Sequence, residues 1–211
     1  MEITWLGHSC FLIKNSKGIQ ILTDPFDSTL GYDVYKGSPD IVTISHQHFD
    51  HNYCKNLLGN YKIIDKVGMF YECDVPIMGV PSYHDKDKGA KRGDNIIFTF
   101  KVDDYNLCHL GDLGHTLSDD DIDAIGAVDV LFVPVGGNYT IDGREATEVT
   151  SKIKPKIVIP MHYKTSRVSF PLDGVETFLL HMKNGSKIGG NTLVINDEIK
   201  EVLSVKILNY I

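Results

Sequence analysis

Thr43-Ile-Ser-His46-Gln-His48-Phe-Asp50-His51-Asn52 sets four potential metal ligands within six residues, directly behind the apolar run Ile41-Val42-Thr43-Ile44. That run is short, β-branched and flanked by Pro39 and a polar cluster, so it reads as a buried strand. Side chains two apart on extended chain share a face, which lets His46 and His48 grip one ion together. Asp50 and His51 fall just past the strand end, where a turn can aim them at a second ion. The stretch predicts a metal-dependent hydrolase built around one loop.

The totals set the frame. A chain of 211 residues can bury a sizeable core in one domain, without disulfides or metal staples. The longest apolar runs are about five residues against the ~20 that a membrane span needs, so no membrane partner is expected. Met1-Glu2-Ile3 leads into a strand pattern with no basic flank or apolar signal core, which predicts a cytoplasmic protein. A net charge of −7 argues against nucleic acid as partner but does not exclude anionic substrates, because a metal site supplies local positive charge; a small-molecule substrate is expected. Cys10, Cys54, Cys73 and Cys108 show no CxxC spacing and read as reduced thiols.

Along the chain, Glu2 to Leu6, Cys10 to Ile13 and Ile19 to Thr23 are strand-like, the last two joined by the turn cluster Asn15-Ser-Lys-Gly18. Residues 26 to 39 form a loop long enough to wall a site. Asn52 is a candidate cap for a short helix over Tyr53 to Leu58, with Gly59 as its stop. Tyr61 to Asp65 reads as a strand, Met69 to Pro81 as apolar but irregular, and Lys86 to Gly93 as an exposed charged loop. Strands are expected at Asn95 to Val102, Tyr105 to Leu110, Val128 to Val135 and Lys156 to Pro160, and near 192–196 and 202–208. Helices are expected at Ser118 to Ile125, from Asp142 or Gly143 to Ile153, and at Leu172 to Lys183 with Gly185 behind it. With no repeat and no linker, residues 1–211 read as a single α/β domain.

His46, His48, Asp50 and His51, then His84, Asp112 and His162, each fall where an apolar strand runs out into a polar or Gly/Pro-rich loop. Strand ends of a layered α/β fold lie along one edge, where sites are commonly built. Seven imidazole and carboxylate groups suit two zinc-like ions; Mn2+ and Fe2+ are also compatible with such a mixed set.

His46-Gln-His48-Phe-Asp50-His51 matches the HxHxDH signature of the metallo-β-lactamase superfamily. Trp5-Leu-Gly-His-Ser-Cys-Phe11, Thr23-Asp-Pro25, Gly111-Asp112, Pro134-Val-Gly-Gly137 and Pro160-Met-His-Tyr163 resemble one branch of it. That branch holds small metal-dependent hydrolases, with sugar-phosphate lactonases and the N-acylphosphatidylethanolamine phospholipase D among its relatives. The resemblance implies a four-layer αβ/βα sandwich with a dinuclear site on one edge. His46, His48 and His84 would hold one metal, Asp50, His51 and His162 the other, and Asp112 would bridge them. Asp50 would also orient or deprotonate the attacking water. Asp24 matches a position that anchors a ligand histidine, and His8 and Tyr139 are candidates to line the pocket. His109 reads as a core or anchoring residue; His115 and His181 receive no role. Leu113 stands where a Thr or Ser commonly follows the bridging Asp.

The function expected is hydrolysis of a small ester, lactone or phosphodiester. Two other readings are weighed. A di-iron redox enzyme on the same fold usually carries Glu where this chain has His48, and a flavin domain is absent. A metal-stabilised binding or sensor protein would share the ligands without turnover.

Overall fold

The computed structural model describes residues 1–196, 199 and 203–210. Alternating apolar residues create two sheets that bury one face against each other. The first contains β1 (Glu2–Gly7), β2 (Cys10–Lys14), β3 (Gln20–Thr23), β4 (Ile41–Thr43), β5 (Lys62–Ile64) and β13 (Thr192–Val194), in the order β13-β1-β2-β3-β4-β5. The second contains β6 (Gly68–Glu72), β7 (Val75–Tyr83), β8 (Asp94–Val102), β9 (Tyr105–His109), β10 (Val130–Pro134), β11 (Ile157–Met161), β12 (Gly185–Lys187) and β14 (Ser204–Ile207). Its order is β12-β14-β11-β10-β9-β8-β7-β6.

Ile3, Trp5, Phe11, Ile13, Ile21 and Ile41 point from the first sheet into the shared core. Leu22 and Val42, one residue on, face the other way, as a period of two requires. The aromatic rings of Phe11 and Phe132 meet across the sheets at 4.5 Å between centroids. His109 lies beside both rings and its Nε2 is 2.8 Å from the Ser9 carbonyl, a polar tie between the layers.

Three helices appear among the described residues: α1 (Asp119–Ile125), α2 (Gly143–Ile153) and α3 (Glu176–Met182). Ser118 with Asp121, and Asp142 with Glu145, close reciprocal capping boxes at the starts of α1 and α2. α2 packs on β10 and α3 on α2, so helices clothe the second sheet. The outer face of the first sheet is covered differently. Phe26, Leu30, Tyr32, Val168 and Leu172, all from loops or a single 3-10 turn, pack on Leu22 and Val42. The sandwich is as expected, but loops make its layer on that side.

Three expectations change. Tyr53 to Leu58 is not helical: the Tyr53 N–H donates to the Pro25 carbonyl at 2.7 Å and the Leu58 N–H to that of Gly37 at 2.9 Å. Those donors are spent on the 26–39 loop, and the Asn52 amide turns back to the Gln47 carbonyl instead of capping. Met69 to Pro81, read as irregular, spans the hairpin β6–β7. Its two-residue turn is Cys73-Asp74, both at positive φ, so no glycine advertised it. α3 starts at Glu176 and not at Leu172, because the Leu172 and Asp173 amides bond to the Phe170 and Gly136 carbonyls, and Val175 offers no side-chain cap. Gly185 lies behind α3 as expected and opens strand β12. The strand expected near 202–208 is observed at Ser204–Ile207, and its residue 202 lies outside the described residues.

Pairing directions decide where the site forms. β3, β4 and β5 run parallel, as do β9, β10, β11 and β14. β1 and β3 are both antiparallel to β2, and β7 and β9 both antiparallel to β8. Within each sheet, therefore, the C-terminal ends of these strands share one edge.

The Phe11–Phe132 contact is the place to test the packing of the two layers. Phe132→Ala is expected to lose about 3–5 kcal/mol in urea denaturation, from lost burial and the cavity left behind. An unchanged midpoint would show that the sheets do not depend on this ring.

Candidate metal centre

Six of the strands that end on this edge each deliver one part of the site. His8 follows β1, Asp24 follows β3, His46 to His51 follow β4, His84 follows β7, Asp112 follows β9 and His162 follows β11. His8, His51, His84, Asp112 and His162 are almost fully buried, while His48 is exposed at the mouth. His8, Asp24 and His162 adopt positive φ values of 53°, 41° and 52°, conformations uncommon for residues with a Cβ. The chain bends sharply at each of these strand ends.

The ligand-type atoms fall into three overlapping groups, each with all members within 4.8 Å of one another: His46, His48 and His84; His46, His51 and Asp112; and His8, Asp50, His51 and His162. Asp112 is central. Its Oδ2 lies 3.2 Å from the Nε2 atoms of both His84 and His162 and 3.3 Å from that of His51. The two groups expected for two ions are thus present, with Asp112 between them. His8, expected only to line a pocket, joins the second group directly, its Nε2 3.4 Å from Asp50 Oδ2.

A carboxylate behind the cluster fixes two of the imidazoles. Asp24 Oδ2 accepts from His51 Nδ1 at 2.9 Å and from the Ser45 hydroxyl at 2.6 Å, and Asp24 Oδ1 accepts from the Ser45 N–H at 2.8 Å. Ser45 has thereby given its only hydroxyl proton to Asp24. The 2.9 Å contact between Ser45 Oγ and His46 Nδ1 must then be donated by the imidazole. In both His46 and His51 the Nδ1–H is committed to this network and Nε2 is turned towards the cluster, the atom a metal would take. The Nε2 atoms of both residues are buried without a hydrogen-bond partner. Both ring nitrogens of His8 and Asp112 Oδ1 are unpartnered in the same way. Buried polar atoms normally find partners, so a set of unpartnered ones converging on one place fits a divalent cation.

Asp112 is held by its backbone. Its N–H donates to Asn95 Oδ1 at 2.9 Å, and Asn95 Nδ2 donates to the Leu110 carbonyl and the Ser82 hydroxyl. Gly111 makes this approach feasible: at φ +56°, an added Cβ would lie 2.4 Å from Asn95 Oδ1. Asp85, next to His84, accepts four backbone N–H bonds, from residues 87, 89, 91 and 92, and so shapes the loop that borders the cleft.

Burial, followed by the neighbouring His162, holds the His8 pKa down to about 4. Burial and His51 hold that of His46 down to about 3. His51 is pushed the other way: burial opposes its charge, but Asp112 and Asp24 outweigh this and raise it well above the ordinary value. Burial also works against ionised Asp50 and Asp112, yet the surrounding histidines lower both.

Asp24 occupies the anchoring position expected of it, and Tyr139 lines the cleft. Ser45 and Asn95 were not anticipated. The signal for Ser45 was a hydroxyl at a strand end immediately before His46; for Asn95, a lone amide opening an apolar strand. His109 is buried between the sheets. His115 is half-buried against Tyr83 and His181 is exposed, both away from the cluster. Leu113 is fully buried in the core, so this position serves packing.

With this geometry in view, the comparisons with known proteins are specific. A family model described as the β-lactamase superfamily domain matches residues 2–162. A UPF0173 metal-dependent hydrolase of Pyrococcus furiosus is 30% identical over 197 residues, covering 78% of this chain and 85% of the relative. Among solved structures, a candidate zinc-dependent hydrolase of the metallo-β-lactamase superfamily from Thermotoga maritima is 39% identical. It has a TM-score of 0.83 and covers 99% of each chain. A candidate metal-dependent hydrolase from Parabacteroides distasonis, 19% identical, shares the fold at a TM-score of 0.70, covering 98% of this chain and 91% of its own. The chain belongs to the metallo-β-lactamase superfamily, in its branch of metal-dependent hydrolases. Among the described residues, no helix is long and apolar enough to cross a membrane.

Two outcomes follow from this arrangement. Asp24→Ala removes the acceptor that fixes His51 and, through Ser45, His46; metal affinity is expected to fall 10–100-fold in a chelator competition titration. Wild-type affinity in that variant would rule out the anchoring role. The second concerns chelator-treated protein. A histidine whose folded pKa lies below its unfolded value near 6.5 binds fewer protons folded than unfolded between the two, so stability falls as pH drops through that window. His8 and His46 both act this way. His51, raised, contributes fully below about 6.5 and loses its contribution only as pH rises above it. Calorimetry of the metal-free protein should show a lower Tm at pH 5 than at pH 7; an equal or higher one contradicts the assignment.

Proposed function

We infer that the protein hydrolyses a small ester, lactone or phosphodiester with two divalent ions, zinc foremost. In this reading His46, His48 and His84 would hold one ion, Asp50, His51 and His162 the other, and Asp112 would serve both. The observation that carries the reading is Asp112 Oδ2, set within 3.3 Å of three histidine nitrogens that come from three separate strand ends.

When bound, such a pair of ions lowers the pKa of a shared water and polarises the bond to be cleaved. The remaining work belongs to the chain. Asp50 lines the cleft, and its carboxyl is held ionised by His8 and His51, so it can accept the proton of an attacking water. Asp24 and Ser45 keep His46 and His51 in the tautomer that presents Nε2. The cleft is about 360 Å³, the size of a small-molecule site. A location in the cytoplasm belongs to the same reading, supported by four unpaired cysteines.

Metal analysis of protein purified without added metal, together with a screen of phosphodiesters, lactones and esters, tests this. Bound transition metal and hydrolysis are expected, with activity lost at least 100-fold in Asp112→Ala. Protein that holds no metal and hydrolyses nothing after zinc or manganese is restored would overturn the proposal.

A further inference from the structure

The mouth of the cleft carries a second pattern that the metal cluster does not use. Phe49, Phe170, Tyr139 and Arg92 form an unbroken rim: Phe49 and Phe170 meet edge-on at 6.3 Å, Phe170 and Tyr139 at 6.2 Å, and the Arg92 guanidinium carbon sits 4.7 Å over the Tyr139 ring. All four line the same cleft as His48, Asp50, His84, Asp112 and His162. They come from four separate segments, so chain proximity does not explain their meeting.

The rim is held in place from behind. Arg92 ends the loop whose amides Asp85 gathers, and its Nη2 donates to the Asn138 carbonyl at 3.3 Å. The Phe170 carbonyl accepts from Lys164 Nζ at 2.8 Å, and the Asn138 amide donates to the Pro171 carbonyl. In the 86–93 loop, Lys86 pairs with Glu145 and Lys91 with Asp87, both turned to carboxylates. Arg92 is the only Lys or Arg lining the cleft among the described residues. A guanidinium has five N–H groups in a planar fork, of which one is engaged here. Phe49 is 52% exposed, a large apolar ring left in water at the entrance.

We propose that this rim binds the non-reacting part of the substrate, and that this part carries an oxyanion beside a flat apolar group. The oxyanion lies in the Arg92 fork; the apolar group lies on Phe49 and Phe170. Arg92 places a planar guanidinium at the entrance, apart from the metal cluster, where it can pair an oxyanion by direct contact. The inference rests on the hydrolase reading for the identity of the cleft as a substrate site, and its binding test is independent of turnover.

Calorimetric titration of the protein as purified uses four probes: phenylphosphonate, methylphosphonate, benzoate and benzyl alcohol. Phenylphosphonate is expected to bind about tenfold more tightly than methylphosphonate, and benzyl alcohol weakly. Benzoate, an oxyanion on the same ring, is expected to bind more tightly than benzyl alcohol, and an affinity no greater than the alcohol's would overturn the proposal. Arg92→Gln should weaken both phosphonates about tenfold while the metal content stays at the wild-type value, and Arg92→Lys should recover part of the loss. Phe170→Ala should abolish the advantage of phenyl over methyl. Equal affinities for the two phosphonates, or unchanged phosphonate affinity in Arg92→Gln, would overturn the proposal, as would no binding of any anionic probe. Metal content and ester turnover on the same preparations report separately on the hydrolase reading.

Discussion

Two carboxylates buried among histidines are the constraint on which the site depends. Asp112 and Asp24 are both almost fully enclosed, and neither could stay ionised there without compensation. His51 lies between them, 2.9 Å from Asp24 and 3.3 Å from Asp112. It is the hinge of the electrostatics: its charge supports both acids, and their charges raise its affinity for a proton. A metal arriving at Nε2 replaces that proton and inherits the same field, so the apo site is already shaped for positive charge.

That field has to be built from parts distant in sequence, and the sheets perform the assembly. Each candidate ligand sits one to three residues beyond a strand end or, in the case of the histidine-rich loop, within eight residues of one. The strands are rigid and parallel where it matters, while the turns after them do the aiming, at the cost of uncommon backbone conformations at His8, Asp24 and His162. Rigid strands and short, bent ends are what a site needs if its donor atoms are to hold their spacing without a ligand.

The parts of this design that were legible in the sequence are those written in local pattern. Short β-branched runs ending in His or Asp gave the strands and the candidate ligand positions, and Ser118 announced its helix. The β6–β7 hairpin was not legible, because its turn is built from Cys73 and Asp74 at positive φ and its strand carries Pro76 and Pro81. The coil at 53–58 was misread for a related reason: an apolar stretch with a cap and a glycine stop is helical only if its amides are not claimed elsewhere. The contacts of His8 were not legible because its partners lie far along the chain, at Asp50 and His162. Asn95 shows the same limit; nothing near it in sequence says that its amide will carry the backbone of Asp112.

The division of ligands between the layers has a mechanical consequence. His8, His46, His48, Asp50 and His51 hang from the first sheet, whereas His84, Asp112 and His162 hang from the second. A cation held by Asp112 together with His46 or His51 would be a clasp across the open edge of the sandwich. Its binding free energy is then shared with the separation of the layers, by mass action on the folded form alone. Scarcity of metal would loosen the whole molecule as well as silence its chemistry, so cellular abundance of the protein would track metal supply.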